Sequence, residues 1–252
     1  MDIGVLTDIG KVRVENQDAY HIYKDEYCLF MVADGMGGHS CGKMASNLAL
    51  QVASSHAVEF LFNDADDSVV TGILYEAFHR ANQKLLEYAV DYPECAGMGT
   101  TLTMVWTKNN RGVIGHIGDS RAYLLRNNEL MQMTEDHSLV AELYRKGEIS
   151  KQEALYHPQK HVITRAMGID KNVRADFIPF KIMDHDILVL CTDGVTNLIS
   201  DDELRNILLE MKSASQAAQL LIDTANNRGG HDNSTVLIAK PFKSSKKGRC
   251  SF

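Results

Sequence analysis

Leu29-Phe30-Met31-Val32-Ala33-Asp34-Gly35-Met36-Gly37-Gly38-His39 is the stretch on which the fold turns: five apolar residues, one carboxylate, then a glycine-rich turn. An apolar run without polar alternation describes a strand buried on both faces, so Asp34 arrives at the edge of a core on a rigid support. Gly35, Gly37 and Gly38 let backbone groups come close to a small charged ligand, because no side chain intervenes. The device recurs at 187–194, ILVLCTDG, which delivers Asp193, and more weakly at Ile117-Gly118-Asp119-Ser120. Asp232 stands just before a further apolar run, 236–239. In an antiparallel sheet the start of one strand lies beside the end of its neighbour, so Asp232 is placed to meet Asp34 and Asp193 at one rim. Carboxylates crowded there repel one another and must protonate unless cations sit between them.

The expectation is therefore a hard-metal site. One Asp-Gly pair is most often a plain turn; repetition at the ends of buried strands is what carries the reading. Oxygen ligation suits magnesium or manganese, and the five cysteines (28, 41, 95, 191, 250) contain no Cys-x-x-Cys pair to hold zinc.

The chain has 252 residues, 44% of them hydrophobic, enough for one large core. No charged-then-apolar leader follows Met1, and no apolar run approaches the ~20 residues needed to span a bilayer. With unpatterned cysteines, these features place the chain in a reducing cytoplasm, away from membranes. A formal charge of -7 argues against a nucleic-acid partner, which needs a positive surface.

Taken in order, 2–8 and 19–23 read as short strands flanking a polar connection that holds Arg13, Asn16, Gln17 and Asp18. Met44, Leu48 and Val52, with Ala45 and Ala49 alongside, recur at helical spacing to about Phe62. A second helix over 68–92 carries Ile73, Ala77, Ala81 and Leu85, and His56 and His79 read as surface or packing residues. From Gly99 the period becomes two; Asn109-Asn110 and Asn127-Asn128 mark reversals between strands. Short helices are expected at 138–146 and 150–155 inside an irregular segment broken by Pro158 and Gly168, a movable flap of about 138–172. A strand at 187–191, helices at 201–211 and 214–227, and the strand 236–239 complete the order. Antiparallel strands with helices gathered elsewhere give an α+β layered fold. Residues 1–242 form one domain, and 243–252, KSSKKGRCSF, a basic tail expected to be disordered.

As an ordered set, Arg13-x-x-Asn16-Gln17-Asp18, Val32-Ala33-Asp34-Gly35-Met36-Gly37-Gly38-His39, Gly99-Thr100-Thr101, Gly118-Asp119-Ser120-Arg121, Thr192-Asp193-Gly194 and Asp232-Asn233 resemble the metal-dependent serine/threonine protein phosphatases of type 2C, in particular the bacterial branch. The resemblance runs from about Val5 to Ala239. It implies two packed antiparallel sheets forming a central sandwich, with helices on both outer faces. It also implies Mn2+ or Mg2+, two ions at the core and a third beside them. By motif, Asp34 resembles the carboxylate bridging two ions, and Gly35 the residue lending its carbonyl oxygen. Asp193 and Asp232 match ligands of the first ion, Asp18 the acid near the second, and Asp119, with Asp193, the third-ion site. Arg13 resembles the arginine that clasps phosphate, for which a guanidinium fork is suited.

The activity implied is hydrolysis of phosphoserine and phosphothreonine on proteins by a hydroxide bridging two ions. A phosphorylated protein substrate and a eukaryotic-like serine/threonine kinase are the partners implied, and a monomer is expected. Two positions depart from the family pattern. Met36 stands where eukaryotic members carry a histidine proposed as general acid, and His39 is a weak substitute. Gln17 stands where many relatives have glutamate. Two other functions would use similar residues. A regulatory pseudophosphatase would have lost metal-ligand carboxylates, which this chain keeps, and a two-metal phosphodiesterase would favour a basic channel.

Overall fold

The computed structural model describes residues 1–38, 40–62 and 65–240. Two antiparallel sheets are stacked face to face. One contains β1 (Asp2–Asp8), β11 (Ser234–Lys240), β10 (Ile187–Cys191), β7 (Arg121–Arg126) and β8 (Glu129–Gln132), in that spatial order. The other runs β2 (Asp18–Lys24), β3 (Cys28–Met36), β5 (Leu102–Lys108), β6 (Arg111–Ile117) and β9 (Asp176–Lys181), with the two-residue β4 (Gly99–Thr100) pairing the end of β3. The sandwich, and with it the α+β expectation, is what the chain adopts.

β3 shows how the layers are built. Its side chains alternate: Phe30 and Val32 pack with Val105, Ile114, Leu188, Leu190 and Leu237 between the sheets, whereas Leu29, Met31 and Ala33 face the helices outside. Each such fully buried side chain contributes roughly 1.5–3 kcal/mol relative to exposure, enough for the sandwich to carry unfavourable charge at its edge. By the same alternation Asp34 falls at the end of the inter-sheet row. The strand does not stop at Ala33; it runs through Asp34 to Met36, because β4 supplies partners at Gly35 and Met36.

Helices α1 (Cys41–Phe60) and α2 (Asp67–Asp91) cover the second sheet. The stripe expected for α1 is corrected in part: Ala45 and Ala49, with Ser46, Ala53 and Ala57, are fully buried, Leu50 is 4% exposed, Leu48 and Val52 are partly buried against the core, and Met44 is 41% exposed. Small side chains let α1 lie close to β3 and α2. α2 buries Val70, Leu74, Ala77, Phe78, Ala81 and Leu85, as its spacing suggests. The first sheet is covered by α6 (Asp201–Glu210) and α7 (Ala214–Asn227). Ser200 and Glu203 form a reciprocal capping box at the start of α6.

Short helices α3 (Leu139–Arg145) and α4 (Lys151–Tyr156) occupy the expected flap. Among the described elements, β9, the 3-10 turn Pro93–Cys95 and the single turn α5 (Asp193–Thr196), which begins at Asp193, had no counterpart in the sequence reading. β9 pairs only with β6 at a sheet edge and contains Pro179, the setting in which a strand tolerates proline. A disulfide joins Cys41, at the start of α1, to Cys95. Their separation of 54 residues gave no spacing signal. The tail, 243–252, and His39 lie outside the described residues.

Candidate active site

Each sheet brings acids to the same open end of the sandwich. On the first, β10 and β11 run antiparallel with Cys191 opposite Val236, so Asp193, two residues beyond one, and Asp232, two residues before the other, emerge together. On the second, Asp18 and Asp34 are direct partners across β2 and β3. Asp119 arrives from the turn after β6, where Gly118 takes a positive φ of 109°. A cleft of about 990 Å³ opens there, lined by Arg13, Asp34, Gly35, Met36, Asp119, Asp193 and Asp232. Asp18 lies beneath it, buried.

The supports of these side chains are polar and specific. Thr192 and Thr235 both donate to Asp18 Oδ2, at 2.8 and 2.7 Å. Because Thr235 spends its hydrogen on Asp18, Thr7 must donate to Thr235, and Asn16 donates in turn to Thr7. Asp18 is thus locked to the opposite sheet. The Asp34 amide donates to Thr101 Oγ1, itself paired with Ser120 at 2.7 Å. Asn233 accepts from the Gln17 amide and donates to the carbonyls of Ile9 and Glu15, gathering the loop that presents Arg13. A Cβ at Gly194 would lie 1.9 Å from the Asn233 carbonyl oxygen, and one at Gly35 would lie 2.0 Å from that of Gly42. Both positions are therefore confined to glycine by contact with backbone.

Electrostatically the site is overloaded. Burial, then Thr-bound proximity to Asp193 and Asp232, leaves Asp18 pushed up to about 7 despite its two hydroxyl donors. Burial, then Asp193 and Asp136, pushes Asp119 up to about 8. Asp34 is raised well above the usual carboxylate range by burial and by Asp18, Asp193, Asp119 and Asp232. Asp193 is raised by burial and by Asp232. Among the described residues, the buried oxygens Asp18 Oδ1 and Asp193 Oδ1 have no hydrogen-bond partner. Such atoms are costly unless something positive meets them, so the donor set fits hard divalent cations. Among the described residues, no three His, Cys, Asp or Glu side chains already close on one point. Asp232 is instead turned to Arg13, whose Nη2 lies 2.6 Å from Oδ2, and this bond keeps the guanidinium firmly charged.

The structure thus brings all seven sequence-derived residues, Arg13, Asp18, Asp34, Gly35, Asp119, Asp193 and Asp232, to one end of the sandwich. It adds residues that no motif singled out: Val14, His161, Ile163 and His231 also line the cleft. His161 and Ile163 come from the flap segment, whose irregular pattern carried no positional signal. Met36 lines the cleft where a proton donor was looked for.

Comparison with known proteins agrees with this geometry. The family model for protein phosphatase 2C matches residues 11–227. The chain belongs to the protein phosphatase 2C family. The serine/threonine phosphatase stp of Listeria welshimeri is 40% identical over 236 residues, covering 93% of both chains. The structure of serine/threonine phosphatase Stp1 from Staphylococcus aureus is similar at a TM-score of 0.88 and 31% identity, covering 96% of both chains. That of the catalytic domain of serine threonine protein phosphatase PstP, in complex with two manganese ions, is similar at 0.82 and 32%, covering 96% of this chain and 98% of the other.

Proposed function

We infer that this chain is a metal-dependent protein phosphatase that hydrolyses phosphoserine and phosphothreonine, the activity its bacterial relatives' names describe. The observation that carries the reading is a cleft where carboxylates of two sheets converge, with unpartnered buried oxygens, beside an arginine at the mouth. Asp34, Asp193, Asp232 and the Gly35 carbonyl, with Asp18 beneath, are the groups that would hold two ions, and Asp119 with Asp193 a third. Manganese is favoured by the likeness to a manganese complex, and magnesium fits the same oxygen donors. When bound, the ions supply a water of lowered proton affinity and neutralise phosphate charge.

The chain's own contribution is placement. Arg13, half-exposed at the mouth, offers a fork that matches two phosphate oxygens at once. Thr192 and Thr235 keep Asp18 turned toward the ion site and not toward solvent. Val14 and Ile163 give the cleft mouth an apolar lip that suits a peptide flanking the phosphorylated residue. Met36 holds no transferable proton, so protonation of the leaving alkoxide falls to another group. Full retention of the ligand carboxylates supports an enzyme over a pseudophosphatase, and the acidic chain gives no basic channel for a phosphodiesterase.

A cognate kinase follows from the family likeness alone, and a cytoplasmic setting from the unpatterned cysteines. The Cys41–Cys95 bond opposes the second, because disulfides are rare in that compartment. No described helix is long and apolar enough to cross a membrane. The deciding experiment compares a phosphothreonine peptide, p-nitrophenyl phosphate and a nucleic-acid substrate with Mn2+ and after chelation. Metal-dependent release from the first two only is expected; cleavage of the nucleic acid, or full turnover after exhaustive chelation, overturns the reading.

A further inference from the structure

Behind Asp119 lies a histidine that reaches three separate parts of the chain. His137 is 1% exposed, and its amide donates to the Gly118 carbonyl at 2.8 Å while the Gly118 amide donates back to His137 Nδ1 at 3.2 Å. The residue immediately before Asp119 is thereby clamped on both its polar groups, in the left-handed region that its φ of 109° requires. His137 Nε2 lies 3.0 Å from Asp176 Oδ2, at the start of β9. The His137 carbonyl accepts from the Thr164 amide at 2.7 Å, and the next residues continue the ladder, Ser138 bridging Ile163 and the Leu139 amide donating to Val162. That ladder is what brings His161 and Ile163 over the cleft.

The bonds settle the tautomer. A backbone amide can only donate, so Nδ1 carries no proton and the hydrogen sits on Nε2, where Asp176 accepts it; Arg165 Nη1, 3.2 Å from the same nitrogen, therefore pairs with Asp176 Oδ1 at 3.4 Å and not with the ring. The ring also lies against His116, with centroids 4.9 Å apart. Burial, which lowers the affinity of His137 for a second proton, favours the same neutral form.

We propose that His137 is a positioning residue that couples the Asp119 turn to the flap segment 161–164, so that the acid at the rim and the side chains over the cleft are held as one unit. Its catalytic consequence rests on the reading of Asp119 as an ion ligand. Its structural content does not. The two ring nitrogens can be tested separately, because an asparagine amide oxygen stands near the place of Nδ1 and a glutamine amide nitrogen near that of Nε2.

In His137→Gln the side-chain half of the Gly118 clamp, the bond from the Gly118 amide, is lost while donation to Asp176 is kept; in His137→Asn the reverse holds. Amide hydrogen exchange at Gly118 is expected to quicken by roughly tenfold in His137→Gln, the loss of about one hydrogen bond, and to stay within about twofold of the parent in His137→Asn. Exchange at Leu237, in the core of β11, reports whether either variant is folded. With Mn2+, His137→Gln is expected to lose about tenfold in kcat/KM on a phosphothreonine peptide, and His137→Asn to recover most of it. Equal losses in the two variants, or Gly118 exchange in folded His137→Gln as slow as in the parent, would overturn the proposal. If exchange at Gly118 and at Thr164, whose amide donates to the His137 carbonyl, quickens but Mn2+ affinity and turnover do not change, the coupling to the flap stands and the ligand role of Asp119 is what fails; quickening at Gly118 alone overturns the coupling.

Discussion

Asp34 sits among like charges, and that decides what its replacement does. Asp34→Asn removes a carboxylate that burial and four other acids disfavour, so the melting temperature in chelator is expected to rise. The same change is expected to lower Mn2+-dependent turnover by roughly 10²- to 10³-fold or more, the scale of losing a central electrostatic group. Calorimetric titration with Mn2+ checks the cause, since weakened ion binding must accompany the loss. Arg13→Lys keeps the charge but not the fork; kcat/KM is expected to fall roughly ten- to a hundredfold, mainly through KM. An unchanged KM would remove Arg13 from phosphate binding. Asp34, Asp119, Asp193 and Asp232 were legible in the sequence because each follows or precedes an apolar run, whereas Asp18, in a polar connection, was marked only by the resemblance. Their supports were not: Thr101 and Thr192 stood in motifs with no role assigned to them, and Thr235 in none of the ordered set, until the second sheet is in place.

At the scale of elements, two substitutions separate stability from activity. Ser200→Ala deletes the capping box of α6, outside the cleft. About 1 kcal/mol of stability is expected to go, measured by denaturant, with turnover unchanged. Gly194→Ala places a methyl against the Asn233 carbonyl, where α5 begins after Asp193. It is expected to cost on the order of 1–3 kcal/mol and to reduce turnover as well, because it forces apart the two strand ends that carry Asp193 and Asp232. Helix α1 shows where periodicity misleads. Met44, Leu48 and Val52 and the alanines beside them both satisfy helical spacing, and only the closeness of β3 and α2 buries the alanines fully, leaves Leu48 and Val52 partly buried and turns Met44 out. β9 was missed for a related reason: a six-residue edge strand containing Pro179 lacks the apolar run that marked β3 and β10.

For the molecule as a whole, the crowded acids link stability to pH. A carboxyl whose folded pKa is raised binds more protons folded than unfolded, so stability falls as pH rises toward the folded value. His116, held near 4 by burial, works the other way below about 6.5, where unfolded histidine takes up a proton. Above that, Asp18 near 7 and Asp119 near 8 act alone in sign. In chelator, stability is therefore expected to decline from pH 6.5 to 8, and saturating Mn2+ to remove the decline; a flat profile in chelator would show that the acids are less crowded than drawn. Reduction of the Cys41–Cys95 bond is expected to lower the melting temperature. Loop-closure entropy for a 54-residue separation sets the scale at about 4 kcal/mol.

The strand-and-carboxylate pattern was determined by the sequence alone, since an unbroken apolar run ending in Asp-Gly specifies a buried strand and a charge at its edge wherever the chain goes. The glycine turn and the α+β layering of antiparallel strands follow from the same local rules, whereas the two-sheet sandwich was implied by the resemblance to a family. Which acids share one space was decided only by tertiary structure, because Asp18 and Asp34 lie on one sheet, Asp193 and Asp232 at the end of the other, and stacking alone makes them neighbours. The hold of His137 on Gly118 and the flap is of the same kind: hydrogen bonds between residues remote in the chain leave no periodic trace in it.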